Sequence, residues 1–141
     1  MSEIDNKVVW IIGGSGGIGS NIARRMSNNG WKVIISARDI EKLNLVSNGK
    51  SIESLIVDAT NADDVQEKAK EINEKYGSLD AVVNSVGSIF LRPLHATSSE
   101  QFMDTINQNL VTSFNVIRAT AKIMMRGNGG RIVLFSSAAA S

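Results

Sequence analysis

Seven residues near the amino terminus, Gly13-Gly14-Ser15-Gly16-Gly17-Ile18-Gly19, hold five glycines. Glycine takes positive φ at no steric penalty and lets backbone close on an anion. A helix that opens at such a turn adds N–H groups and the positive end of its dipole. The chemistry this points to is phosphate binding. Two registers fit, G-x-G-x-x-G from Gly14 and G-x-x-x-G-x-G from Gly13, and the second places Gly13 at the end of a strand. A nucleoside-triphosphate loop would match Gly14-x4-Gly19, but Ser20 stands where its lysine is required, which excludes kinase or ATPase chemistry. The competing reading is a tight turn that binds nothing. A dinucleotide site also needs a group for the adenosine ribose roughly 20 residues further on. There the sequence runs Ile35-Ser36-Ala37-Arg38. No carboxylate sits at that strand end to grip a ribose diol, and Arg38 offers a planar, charged fork to a 2′-phosphate. NADP is therefore expected ahead of NAD. Arg38 as a solvated surface arginine is the alternative, and Asp39 is either a competing ribose ligand or the N-cap of the next helix.

These residues need elements to position them. Lys7-Val8-Val9-Trp10-Ile11-Ile12 is a continuous apolar run that reads as a strand buried on both faces, as in a parallel sheet. After the glycines, Ile18, Ile22, Ala23 and Met26 recur at helical spacing up to Gly30. Trp31 to Ser36 reads as a second strand, Asp39 to Ser47 as a helix and Ser54 to Asp58 as a third strand. Asn61 can cap a helix whose stripe is Val65, Ala69, Ile72 and Tyr76, with Gly77 ending it before a fourth strand, Leu79 to Asn84. Ser85 to Thr97 is a long loop carrying the lone proline, Pro93, and the lone histidine, His95. Thr97-x-x-Glu100 fits a capping box opening one long helix with Met103, Ile106, Leu110, Phe114, Ile117, Ala121 and Met124 on one face. Gly127 to Gly130 ends it, and Arg131 to Ser137 reads as a fifth strand.

Strands alternating with helices through right-handed crossovers give an α/β fold, a single doubly wound parallel sheet of Rossmann type over residues 1–141, in the order 3-2-1-4-5. Sites in such folds lie beyond the carboxyl ends of the strands. That selects residues 13–19, 36–39, 58–59, 84–97 and 136–137. Composition narrows the function classes. The 141 residues are 43% apolar and 21% charged with a net charge of +1, so no large field is present to hold nucleic acid or an anionic membrane. There is no cysteine and one histidine, which removes thiolate chemistry, disulfides and multi-histidine metal sites. Met1-Ser2-Glu3-Ile4-Asp5-Asn6 shows no signal-peptide pattern and no run approaches a membrane span, so a cytoplasmic protein is expected.

In sequence order these residues resemble the classical short-chain dehydrogenases/reductases over nearly the whole chain. Gly13-x-x-x-Gly17-x-Gly19 is similar to the family's cofactor turn, with Ser15 and Ile18 inside it. Asp58-Ala59 resembles the adenine-binding acid and its neighbour, and Asn84-Ser85-Val86-Gly87 resembles the Asn-Asn-Ala-Gly motif after strand four. Asn109 resembles the helix-four asparagine, and Ser137 the serine, of a catalytic tetrad. Two departures stand out: Ile12 replaces the usual threonine before the first glycine, removing a hydroxyl that helps fix the turn, and Ser85-Val86 replaces Asn-Ala. Each residue has a plainer reading: Asp58 as a turn cap, Asn84 as a loop-backbone ligand, Asn109 as a satisfied buried amide, Ser136 and Ser137 as loop hydroxyls. Tyr76 sits on a core stripe at the wrong end of the sheet, and His95 is expected to pack in its loop. Met103, Met124 and Met125 read as core or interface.

The resemblance implies hydride transfer between a nicotinamide and a small carbonyl or alcohol, with a tyrosine donating the proton and a lysine four residues later lowering its pKa. A free phenol near pKa 10 is a poor acid at neutral pH, so that help is needed. Both would follow Ser137, and Ala138-Ala139-Ala140-Ser141 supplies neither. The expectation is a cofactor-binding part of an oxidoreductase, as a truncated reading frame or a fragment would leave, with a non-catalytic nucleotide-binding or regulatory module as the alternative. The apolar fifth strand at a sheet edge and the stripe of helix four are expected to drive homo-oligomerisation.

Overall fold

The computed structural model describes residues 7–47 and 51–137. The expectations on residues 1–6 and 138–141 lie outside the described residues. Five parallel strands, β1 Val8–Ile12, β2 Lys32–Ala37, β3 Ile52–Ile56, β4 Ala81–Asn84 and β5 Arg131–Leu134, form one sheet in the order β3-β2-β1-β4-β5. β1 lies at its centre, and its continuous apolar run is buried at every one of its five residues. Successive strand side chains alternate between faces. Trp10 and Ile12 therefore join one core with Ile34, Val65, Ile72 and Val116, while Val9 and Ile11 join another with Ala23, Val33, Ile35 and Leu43. Helices α1 Gly17–Asn28 and α2 Ile40–Ser47 cover the second core, and α3 Ala62–Tyr76 and α5 Thr112–Arg126 cover the first. Each fully buried Ile or Val contributes about 1.5–3 kcal/mol relative to exposure, which makes β1 the anchor of both layers.

The cap of α3 is as expected: the Asn61 side chain accepts from the Asp64 N–H, and Gly77 ends the helix at φ 76°. Several boundaries move. β3 runs from Ile52 to Ile56 rather than Ser54 to Asp58, because its register with β2 stops at the pair Ala37 and Ile56. β5 ends at Leu134 and leaves Ser136 and Ser137 outside the ladder. The capping box is Ser98 with Gln101, not Thr97 with Glu100. The Thr97 hydroxyl instead donates to the Pro93 carbonyl, 3.0 Å away.

The expected single long helix is three segments: α4 Ser99–Ile106, a π turn Asn107–Val111, and α5. A π turn inserts extra backbone into the helical ladder and rotates the faces on either side of it. The expected one-face stripe is split between core and surface: Met124 is buried, and most of its other large members are not. α5 buries Thr112, Asn115, Val116, Ala119, Thr120 and Met124, whereas Met103, Leu110, Phe114 and Ile117 are exposed. A hydrophobicity count misses this because the buried face is partly polar and satisfies itself. Thr112 and Thr120 donate to the Gln108 and Val116 carbonyls at 2.9 and 2.7 Å. Ile18 also leaves the expected α1 stripe and is 58% exposed at the first turn of the helix.

Candidate dinucleotide site

The glycine turn lies directly beyond the carboxyl end of β1. Gly13 has φ 84°, and its N–H and that of Gly14 both donate to the Ser36 carbonyl at the end of β2, at 2.8 and 3.0 Å. A Cβ at Gly14 would lie 2.6 Å from the Ile35 side chain, and one at Gly19 would lie 2.4 Å from the Gly13 carbonyl oxygen. These glycines are required for packing the turn against the sheet and against itself. Gly17 faces open space. It is the first residue of α1, whose N-cap is Gly16 with no side-chain cap and no acidic residue in the first turn. Unoccupied first-turn N–H groups with the helix dipole behind them suit a phosphate.

A cleft of about 310 Å³ opens at this edge. Among the residues singled out in the sequence that line it are Gly13, Ser15, Arg38, Asp58, Ala59 and Gly87, together with Ser85. Gly19 and Asn84 are buried behind the cleft as its frame, and Gly17 and Ile18 sit exposed at the start of α1. Arg38 and Asp39 lie on one wall with Lys42, which the sequence reading passed over. Arg38 and Lys42 take part in none of the ion pairs among the described residues. The Asp39 carboxylate accepts the Glu41 and Lys42 N–H groups at 3.0 and 3.3 Å, which is the N-cap alternative.

The opposite wall is the loop after β3. Asp58 accepts from the Thr60 N–H and hydroxyl at 3.0 and 2.7 Å, so it does cap its own turn while lining the cleft. The buried Asn115 amide donates to the Ala59 carbonyl at 2.9 Å and ties this loop to α5. No periodicity signalled that role, since it joins positions 56 residues apart. Asn84, also buried, donates to the Thr112 and Ser113 hydroxyls at 3.4 and 3.2 Å and accepts from the Val86 N–H at 3.1 Å.

Asn109 falls inside the π turn. It is exposed rather than a buried amide: its Oδ1 accepts the Ser88 N–H at 3.0 Å and its Nδ2 donates to the Thr105 carbonyl at 2.9 Å. A Cβ at Gly87 would come within 3.0 Å of that Oδ1, so glycine lets the loop after β4 seat on Asn109. Ser137 is exposed three residues past β5, whose Leu134 pairs with Asn84, so it follows the same end of the sheet. Tyr76 is half-buried at the other end, its ring flanked by the Lys32 and Lys75 ammonium groups, each 5.3 Å from the centroid. His95 is exposed and does not pack in its loop. Among the described residues no cluster could hold a metal ion and no helix is long and apolar enough to cross a membrane. A larger groove, about 820 Å³, runs between α3 and α5 and contains none of the candidate residues.

Comparison with known proteins agrees with this geometry. An uncharacterized oxidoreductase of Staphylococcus saprophyticus is 30% identical over 97% of this chain and 61% of its own length. A metagenomic short-chain oxidoreductase solved in complex with NADP is 32% identical with a TM-score of 0.88, covering 96% of this chain and 64% of that one. An actinorhodin polyketide ketoreductase solved with NADPH has a TM-score of 0.89 at 27% identity, over 97% of this chain and 55% of that one. The chain thus spans about three fifths of the curated relatives it matches. With a sheet of the matching order, and a family model described as short chain dehydrogenase matching residues 7–141, the chain belongs to the short chain dehydrogenase family.

Proposed function

We propose that this chain is the NADP(H)-binding part of an oxidoreductase that moves hydride between a nicotinamide and a small carbonyl or alcohol substrate. The observation that carries the reading is the cleft itself. One end is the uncapped start of α1, suited to a pyrophosphate, and one wall holds Arg38 and Lys42 without ionic partners among the described residues. Ala37 at the end of β2 brings no carboxylate to repel a 2′-phosphate. Relatives solved with NADP and NADPH support the same cofactor. In this reading Gly13, Ser15, Gly17, Ile18 and Gly19 cradle the pyrophosphate, and Arg38 takes the 2′-phosphate. Asp58 and Ala59 flank the adenine, while Asn84 and Gly87 shape the nicotinamide side.

The bound nicotinamide supplies or accepts the hydride. Asn109, fixed by two backbone groups, holds the loop at Ser88, and Ser137 offers a hydroxyl for the substrate oxygen. The one tyrosine, Tyr76, lies at the far end of the sheet and cannot donate the proton. A cytoplasmic location is part of the same proposal. We also assign the exposed apolar residues of α5 and β5 to a contact with a second copy of the chain. Titration of nicotinamide fluorescence tests the central claim: NADPH is expected to bind more tightly than NADH, and equal affinities would overturn the NADP assignment.

A further inference from the structure

The glycine turn is held from two sides, and the two holds differ in kind. On the β2 side the hold is backbone to backbone, through the Gly13 and Gly14 N–H groups on the Ser36 carbonyl. On the β4 side it centres on Ser85, whose N–H donates to the Ile12 carbonyl at 2.8 Å. The Ser85 hydroxyl reaches the same carbonyl at 2.8 Å and lies 3.1 Å from the Gly13 carbonyl oxygen. Position 12 itself contributes no side-chain hydrogen bond, being a buried isoleucine.

The hydroxyl sits where the turn is most crowded. A Cβ at Gly13 would lie 2.7 Å from it and one at Gly19 2.8 Å. The Gly13 carbonyl that it approaches also accepts the Gly16 N–H at 3.1 Å, and Gly16 is the N-cap of α1. A chain of contacts therefore runs from Ser85 through Gly13 to the start of the helix that faces the cleft. Ser85 lines that cleft as well, and three residues later the same loop rests on Asn109 through the Ser88 N–H.

Resting on the dinucleotide reading above, we infer that Ser85 is a positioning residue for the pyrophosphate. Its hydroxyl locks the Ile12–Gly13 backbone, sets the Gly16–Gly19 amides at the cleft, and fixes the spacing between that turn and the loop on Asn109. Its hydroxyl bonds to neither the adenine loop nor the Arg38 wall, so its effect falls on the pyrophosphate and the adjoining nicotinamide side and spares the 2′-phosphate end.

The test compares the full 141-residue chain with Ser85→Ala and Ser85→Thr, using NADPH, NADH and 2′-AMP as ligands and hydrogen exchange of the turn amides as a second readout. Loss of one hydrogen bond predicts about five- to tenfold weaker binding of NADPH and NADH alike in Ser85→Ala. Affinity for 2′-AMP should hold within about twofold, exchange at the Gly14 and Gly16 amides should rise, and Ser85→Thr should restore both by keeping the hydroxyl. Unchanged dinucleotide affinity in Ser85→Ala, an equal loss for 2′-AMP, or no restoration by Ser85→Thr would each overturn the inference while leaving the dinucleotide reading intact. A wild-type chain that binds none of the three ligands would overturn that reading and this inference with it.

Discussion

Arg38 and Asp39 bring opposite charges to the same wall of the cleft, and their surroundings decide which one a nucleotide meets. The Asp39 carboxylate is engaged by the first N–H groups of α2, while Arg38 has no ion-pair partner among the described residues. A guanidinium on a phosphate gives a charge-assisted hydrogen bond of about 1.5–3 kcal/mol, roughly tenfold or more in Kd. Arg38→Ala should therefore weaken NADPH by at least about tenfold and leave NADH nearly unchanged in the fluorescence titration; a parallel loss for both would remove Arg38 from the 2′-phosphate. Gly19 makes a different kind of prediction. Because its Cβ would meet the Gly13 carbonyl at 2.4 Å, Gly19→Ala should lower stability by about 1–3 kcal/mol through overpacking. Urea denaturation reads this directly, and a variant as stable as wild type would show that the turn can relax.

At the scale of elements, the helix after β4 shows how capping and packing are legible to different degrees. The sequence points to a cap at Thr97-x-x-Glu100, and the structure places it one residue on, at Ser98-x-x-Gln101, which satisfies the same pattern. Three-dimensional geometry selects Ser98, whose Oγ accepts the Gln101 N–H at 3.1 Å while Gln101 Oε1 accepts the Ser98 N–H at 3.0 Å. Ser98→Ala should lower stability by about 1 kcal/mol, and Thr97→Ala by clearly less; the reverse order in denaturant melts would reinstate the Thr97 cap. Further along, Asn109 within the π turn meets the loop after β4 at Ser88, and Thr112 and Asn115 point inward, where they bind Asn84 at the end of β4 and the loop after β3. Asn115→Leu would strand the buried Ala59 carbonyl, a loss of about 1–3 kcal/mol. Equal stability of this variant would show that the tether to α5 is dispensable.

At the scale of the whole molecule, β5, at the sheet edge among the described residues, and the outer face of the α4–α5 region carry apolar side chains into solvent. Phe114 is 59%, Met125 82% and Phe135 48% exposed. Clusters of this kind mark contact surfaces, and an unpaired strand edge invites pairing with another chain. The 141-residue chain should thus associate at micromolar concentration in light scattering, and Val133→Lys should shift it toward monomer. A monodisperse wild-type monomer would remove the proposed contact. The same chain should reduce ketones at background rate, since general acid catalysis contributes roughly 10²–10⁴-fold and Tyr76 lies at the far end of the sheet. Robust NADPH-dependent turnover by these 141 residues would contradict that expectation.

The strand order, the glycine turn and the order of landmarks were determined by the sequence itself. Continuous Val/Ile runs bounded by glycine, and residue types placed just after them, are local signals that survive without knowledge of the partners. Tertiary structure decided what depends on contacts distant in the chain or on one residue of helical phase. The burial of Thr112, Asn115 and Thr120 on α5 depends on the partners that this face meets in the packed fold. The tether from Asn115 to Ala59 and the lock of Ser85 on Ile12 and Gly13 join positions 56 and more than 70 residues apart. A polar side chain is equally suited to water or to a carbonyl, so only the packed fold determines which one it meets.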